Sequence, residues 1–160
     1  MSDIRIEVHK GSYDTETSYN KVIGYITNKT YFGGYGFTYN PALSIIEQFK
    51  LSETYSSHTH GQKIWHFYIT FSTRWNHIDL LNLANQIALI FSPRYQIVYG
   101  LDLDKGNPHL HFGLNTFSYY PDIPVITPKL MEDFLIYLQN ELKKWYPPKT
   151  VTLQFQGKKG

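Results

Sequence analysis

Cysteine is absent from the 160 residues, which excludes disulfides and thiolate zinc sites. No apolar run approaches the length of a membrane span, and the opening MSDIRIEVHKGSYD lacks the pattern of a signal peptide. Charge of one sign is scarce. A formal net charge of +2 and a pI near 8.6 permit nucleic acid as a partner without demanding it. Internal repeats, low-complexity tracts and linkers are also missing. The expectation is therefore one cytoplasmic domain over 1–160, large enough for a real core, with 156–160 a loose tail. What the chain has in quantity is aromatic: 17% of residues, 14 of them Tyr. Such residues can stack on unpaired bases or fill an ordinary core.

The stretch 95–117, YQIVYGLDLDKGNPHLHFGLNTF, reads as two strands folded back around a turn at Asp104-Lys105-Gly106-Asn107-Pro108. Side chains two apart share a face of a strand. His109, His111, Gly113 and Asn115 then point one way, and Leu110, Phe112 and Leu114 the other. On the first strand Asp102 shares parity with Gly100 and Val98, and it sits across from His109 or His111. Two imidazoles and a carboxylate form a mixed N/O set suited to Mn²⁺ or Mg²⁺, with positions left open for a substrate phosphate.

The remaining chain supplies the frame. Ile4, Ile6 and Val8 alternate with Arg5 and Glu7, as in a short strand. Tyr19, Val22, Ile23 and Ile26 are spaced by three and four, which predicts a helix over Ser18–Ile26. Residues 31–36, Tyr-Phe-Gly-Gly-Tyr-Gly, read as a glycine-rich aromatic loop, and Asn40 with Pro41 as the start of a helix reaching about Leu51. The stretch 54–62, with His58 and His60, reads as a solvated loop. Lys63–Ser72 is a strand with Trp65, Phe67, Ile69 and Phe71 on one face. Its other face carries Ile64, His66, Tyr68 and Thr70, so His66 can look into the same site. Asn76 caps a helix to about Phe91, Pro128 opens one to Trp145, and Val151–Phe155 is a last strand. The expected fold is α+β: a single largely antiparallel sheet of about five strands, helices packed on one face, the polar set on the other.

In this arrangement Pro108-His109-Leu110-His111-Phe112-Gly113-Leu114-Asn115 resembles the His-hydrophobic-His motif of the HUH endonucleases. The order of segments is similar to the relaxase, or mobilisation nuclease, branch. It runs from Tyr25-Ile26-Thr27-Asn28-Lys29-Thr30, through Tyr35-Gly36 ahead of a helix and the strand His66–Phe71, to the histidine hairpin. The resemblance covers roughly Val22 to Leu142. One departure stands out: Asp102 occupies the place of the branch's first metal-ligand histidine, while the following acid is kept as Asp104. Residues 106–111 also resemble the second motif of the rolling-circle replication initiators. Their helical tyrosine would be Tyr137, with Asn140 and Glu141 where a lysine is usual.

The resemblance implies metal-dependent nicking and strand transfer on single-stranded DNA through a tyrosine nucleophile, at a plasmid origin of transfer or replication. Separate accessory or coupling proteins would complete mobilisation or conjugation. It assigns Tyr25 as nucleophile, with Tyr31, Tyr35 and Tyr137 as alternatives. His109, His111 and Asp102 become ligands of Mn²⁺ or Mg²⁺. Asn115 orients a ligand histidine and His66 supports the site from behind. Lys29, Tyr31, Lys63, Arg74 and Arg94 contact the DNA, under a flap formed by Tyr31 to Tyr39 that also contains Tyr35. A replication initiator of the same superfamily, or a non-catalytic DNA-binding module retaining the fold, are the alternative readings.

Overall fold

Alternating apolar residues build the centre of a single sheet. The computed structural model describes residues 3–9, 11–56, 61–72, 75–103 and 106–155. The elements run β1 (Ile4–Val8), α1 (Ser18–Thr27), β2 (Tyr31–Tyr35), α2 (Ile45–Thr54), β3 (Ile64–Phe71), α3 (His77–Phe91), β4 (Ile97–Asp102), β5 (His109–Asn115), α4 (Pro128–Trp145) and β6 (Val151–Gln154). The six strands lie in the order β2-β4-β5-β3-β1-β6. All neighbours are antiparallel except β1 and β6, which pair in parallel, so the sheet is mixed.

Three expectations need correction here. The glycine-rich stretch is an edge strand rather than a loop: Tyr31–Tyr35 pairs with Leu101–Ile97. Glycines erase the side-chain alternation by which a strand is read, yet they leave every backbone donor and acceptor for the ladder. The second helix starts at Ile45, not after Asn40. Ser44 accepts from the Glu47 amide while the Glu47 carboxylate accepts from the Ser44 amide, a reciprocal cap that outcompetes the Asn-Pro start. Finally, helices cover both faces.

The reason for the third correction lies in the strands. One face carries Phe67, Ile69, Phe112, Leu110 and Leu101, and α3 and α4 close over it with Leu83, Ile87, Leu135 and Leu138. The other face is apolar at one end only. There Ile64 and Val98 meet Val22, Ile23 and Ile26 of α1 and Phe49 of α2. At the hairpin end the same face carries His66, Tyr68, His109 and His111. No helix among the described residues is long and apolar enough to cross a membrane.

Candidate active site

The register of the hairpin sets the site. Asp102 pairs directly with His109, and Gly100 with His111. Across β3, His111 stands opposite Tyr68, and His66 opposite Gly113. Diagonal neighbours on one face can reach each other. Accordingly Nε2 of His66 and Nδ1 of His111 share a hydrogen bond of 3.1 Å. On its other side His111 presents Nε2 to Oδ2 of Asp102 at 3.9 Å.

Two elements complete the cluster. The His9 amide donates to the His66 carbonyl at 2.7 Å, extending the β1–β3 ladder by one residue. The His9 ring then stacks on His66 at 4.7 Å and takes a 2.8 Å hydrogen bond at Nδ1 from, or gives one to, the Tyr13 hydroxyl. From the other side α1 lays Tyr25 over the pair. Its ring centroid is 5.1 Å from that of His111 and 5.7 Å from that of His66. Tyr25 remains 44% exposed, so the site is open to a ligand on that side. One turn on, Lys29 places its ammonium 4.1 Å from the Tyr25 ring centre and 3.3 Å from Oδ2 of Asp102.

Burial decides the protonation states. It pulls His66 down to about 3, helped by the charges of His111, His9 and Lys29. It likewise pulls His111 down to about 4, helped by Lys29 and opposed by Asp102. Both rings are neutral at physiological pH; one donates and the other accepts in their shared hydrogen bond, so the pair keeps one lone pair to take a proton. Burial alone would lower the Lys29 ammonium, but Tyr25 and Asp102 outweigh it and the group ends above the ordinary lysine value. Nδ1 of His109 is buried and takes no hydrogen bond from the described residues.

Of the residues expected in the site, the fold brings together Tyr25, Lys29, His66, Asp102, His109 and His111. It does not bring Asn115. That side chain has the parity of the histidines but lies about 13 Å along the strand from His111. There it donates to the Phe49 carbonyl and to Gln96 Oε1, tying α2 to the sheet. Lys63 is likewise spent on Glu53 at the far end of β3. Tyr31 and Tyr35 have the parity of Gly33 and turn to the α3 face, where Tyr31 stacks on His77 at 5.3 Å and Tyr35 donates to Asn85. Phe32, opposite Gly100, is the β2 aromatic on the histidine face, next to Tyr39. Tyr137 is on α4, behind the sheet, and Arg94 caps the Ile90 carbonyl on that same side. Arg74, Asp104, His58 and His60 lie outside the described residues.

Two members of the cluster were missed. His9 continues the parity of Arg5 and Glu7, so the alternation of β1 carried the signal. Tyr68 has the parity of His66, and its ring lies 5.5 Å from His111. Burial, with Glu7 beside it, pushes the Tyr68 hydroxyl up to about 12, so it holds its proton tightly.

The donor set expected for a divalent ion is not assembled. Among the described residues no three His, Asp or Glu side chains converge as metal ligands. The two donors that face each other, His111 Nε2 and Asp102 Oδ2, have the Lys29 ammonium on the shared carboxylate oxygen. His66 Nε2 is engaged with His111 Nδ1. In this arrangement the residues do not fit the ion. Comparison with known proteins returns no matching family model, no matching curated protein and no matching solved structure.

Proposed function

We propose that this protein nicks and rejoins single-stranded DNA through Tyr25, as the resemblance to the relaxase branch implies. The observation that carries the reading is the convergence of Tyr25 with His66 and His111, residues far apart in sequence and on different elements. A phenol is a weak nucleophile at neutral pH until its proton is taken. The neutral, hydrogen-bonded pair of His111 and His66 stands beside the ring with one lone pair left to accept the proton. A phosphodiester arriving there adds negative charge, which favours the imidazolium and so draws the proton across. The phenolate oxygen forms a bond to phosphorus, and the P–O3′ bond breaks. The leaving oxygen takes the proton back from the imidazolium as a 3′-hydroxyl, and the 5′-phosphate stays on tyrosine. Attack by a 3′-hydroxyl reverses each step and rejoins a strand.

Single strands rather than duplex suit the approach. Phe32, on the histidine face opposite Gly100, and Tyr39 next to it are both exposed, and such rings can stack on unpaired bases. Affinity for a single-stranded oligonucleotide should exceed that for a blunt duplex of the same sequence by about tenfold or more. It should fall with salt, with a log–log slope of roughly −0.7 per phosphate neutralised. Titration by fluorescence anisotropy at several salt concentrations measures both. Equal or better binding of the duplex contradicts the reading.

A further inference from the structure

We propose that Lys29 is the resident cation of this site: its ammonium holds the position between Asp102, His111 and Tyr25 that a divalent ion would otherwise take, and it is the charge that receives the phosphate. The inference rests on the reading of the site as one for DNA strands, but its central test does not.

The chain goes to some length to put this charge there. Helix α1 ends at Thr27, with the Asn28 amide on the Gly24 carbonyl and the Lys29 amide on the Ile26 carbonyl. Lys29 therefore leaves from the negative end of a helix, where a cation is favoured. Its stem crosses β4 above Gly100, where an added Cβ would stand 3.1 Å from Lys29 Cγ and 2.6 Å from the Ile26 carbonyl oxygen. A residue with a side chain at 100 would close this path. Two residues on along the same face is Asp102, which receives the ammonium at 3.3 Å. The Tyr25 ring, four residues back in the last turn of α1, covers the ammonium from above at 4.1 Å. The Lys29 and Asp102 side chains are 17% and 6% exposed, so this is not a loose surface pair.

The donors around the ammonium are those of a cation site: a carboxylate oxygen and a neutral imidazole nitrogen 3.9 Å apart. A divalent ion entering there would share its carboxylate oxygen with a fixed positive charge. An ammonium with three donors can instead reach a phosphate oxygen while keeping Asp102. Developing charge on the scissile phosphate would then be met by Lys29.

The test is metal dependence, read first by melting temperature. The whole chain is melted in chelator and in excess Mn²⁺, as wild type, Lys29→Met, Lys29→Arg and the double variant Lys29→Met with Asp102→Asn. Wild type and Lys29→Arg should show no Mn²⁺ shift. Lys29→Met should gain one of several degrees, because the vacated donors now bind the ion in the native state alone. Asp102→Asn should remove that gain. Should Lys29→Met show no cooperative melt, Lys29→Gln takes its place in the same comparisons. A Mn²⁺ shift in wild type as large as in the variant overturns the proposal, as does a folded charge-free variant that gains none. Oligonucleotide affinity supplies the second readout: wild type should bind equally in chelator and in Mn²⁺, and Lys29→Met at least tenfold more weakly in chelator. Absence of oligonucleotide binding by every form would defeat the DNA reading and leave the melting comparison to decide on Lys29.

Discussion

Acid should unfold this protein through His66 and His111. Unfolded, each imidazole takes up a proton near its ordinary value of 6.5; folded, they do so only at about 3 and about 4. Between those limits the unfolded chain binds more protons than the native one, so stability falls as pH falls. The contribution is complete above 6.5, is lost progressively below it, and stops changing once both folded values are passed. Each histidine costs a little over ~1 kcal/mol per pH unit, so the pair removes roughly 4 kcal/mol by about pH 5. That is a large part of the usual stability of a domain. The surroundings give little relief: Lys29 adds positive charge beside the pair, and Asp102 is the carboxylate that His111 faces among the described residues. Urea unfolding in chelator from pH 7.5 to 5 measures the slope. His66→Gln should flatten it by about half. A flat profile in the wild type over that range would show that the imidazoles are not held neutral by burial.

Gly100→Ala should destabilise the protein although it adds a single methyl group to the histidine face. The added methyl meets the Ile26 carbonyl oxygen at 2.6 Å, a backbone atom that can retreat only if the end of α1 moves. A strand glycine replaced by alanine ordinarily gains a few tenths of a kcal/mol or more. Here overpacking of about 1–3 kcal/mol opposes and exceeds that gain. The displaced helix end also carries Tyr25 and Lys29, so oligonucleotide affinity should fall along with stability. Gly24→Ala is the matched control. It is within α1, a Cβ there meets nothing within 4 Å, and helix propensity favours the change by about 0.5–1 kcal/mol. Thermal melts of the two variants should therefore move in opposite directions. A stabilised Gly100→Ala would mean that α1 does not press on β4 at this point.

Much of the site was readable because period-two alternation assigns faces without any knowledge of the fold. The parity of 109–115 and of 64–70 put His109, His111 and His66 on one face, and the structure has them there. What parity cannot give is distance along a strand. Asn115 shares the face yet belongs to the polar brace of α2, because register and not periodicity decides which end of β5 meets the helix. Glycine caused the second loss. With Gly33 and Gly34 in the middle, the edge strand had no pattern to read, so Tyr31 and Tyr35 could not be assigned to the α3 side. The ion pair of Lys29 with Asp102 was beyond the sequence for a third reason. It depends on the close approach of α1 to Gly100, a contact between elements separated by more than seventy residues.

On the proposed function, Tyr25 acts on a phosphodiester with His66 and His111 beside it. The most direct measurement is peptide mass mapping after the wild-type protein is incubated with single-stranded oligonucleotides that it binds. The account predicts a 5′-phosphonucleotide on the α1 peptide at Tyr25. It should be lost in Tyr25→Phe, which removes one hydroxyl from a 44% exposed ring and should leave the melting temperature nearly unchanged. An adduct on Tyr68 or Tyr137, or a bound strand that never becomes attached, would contradict it.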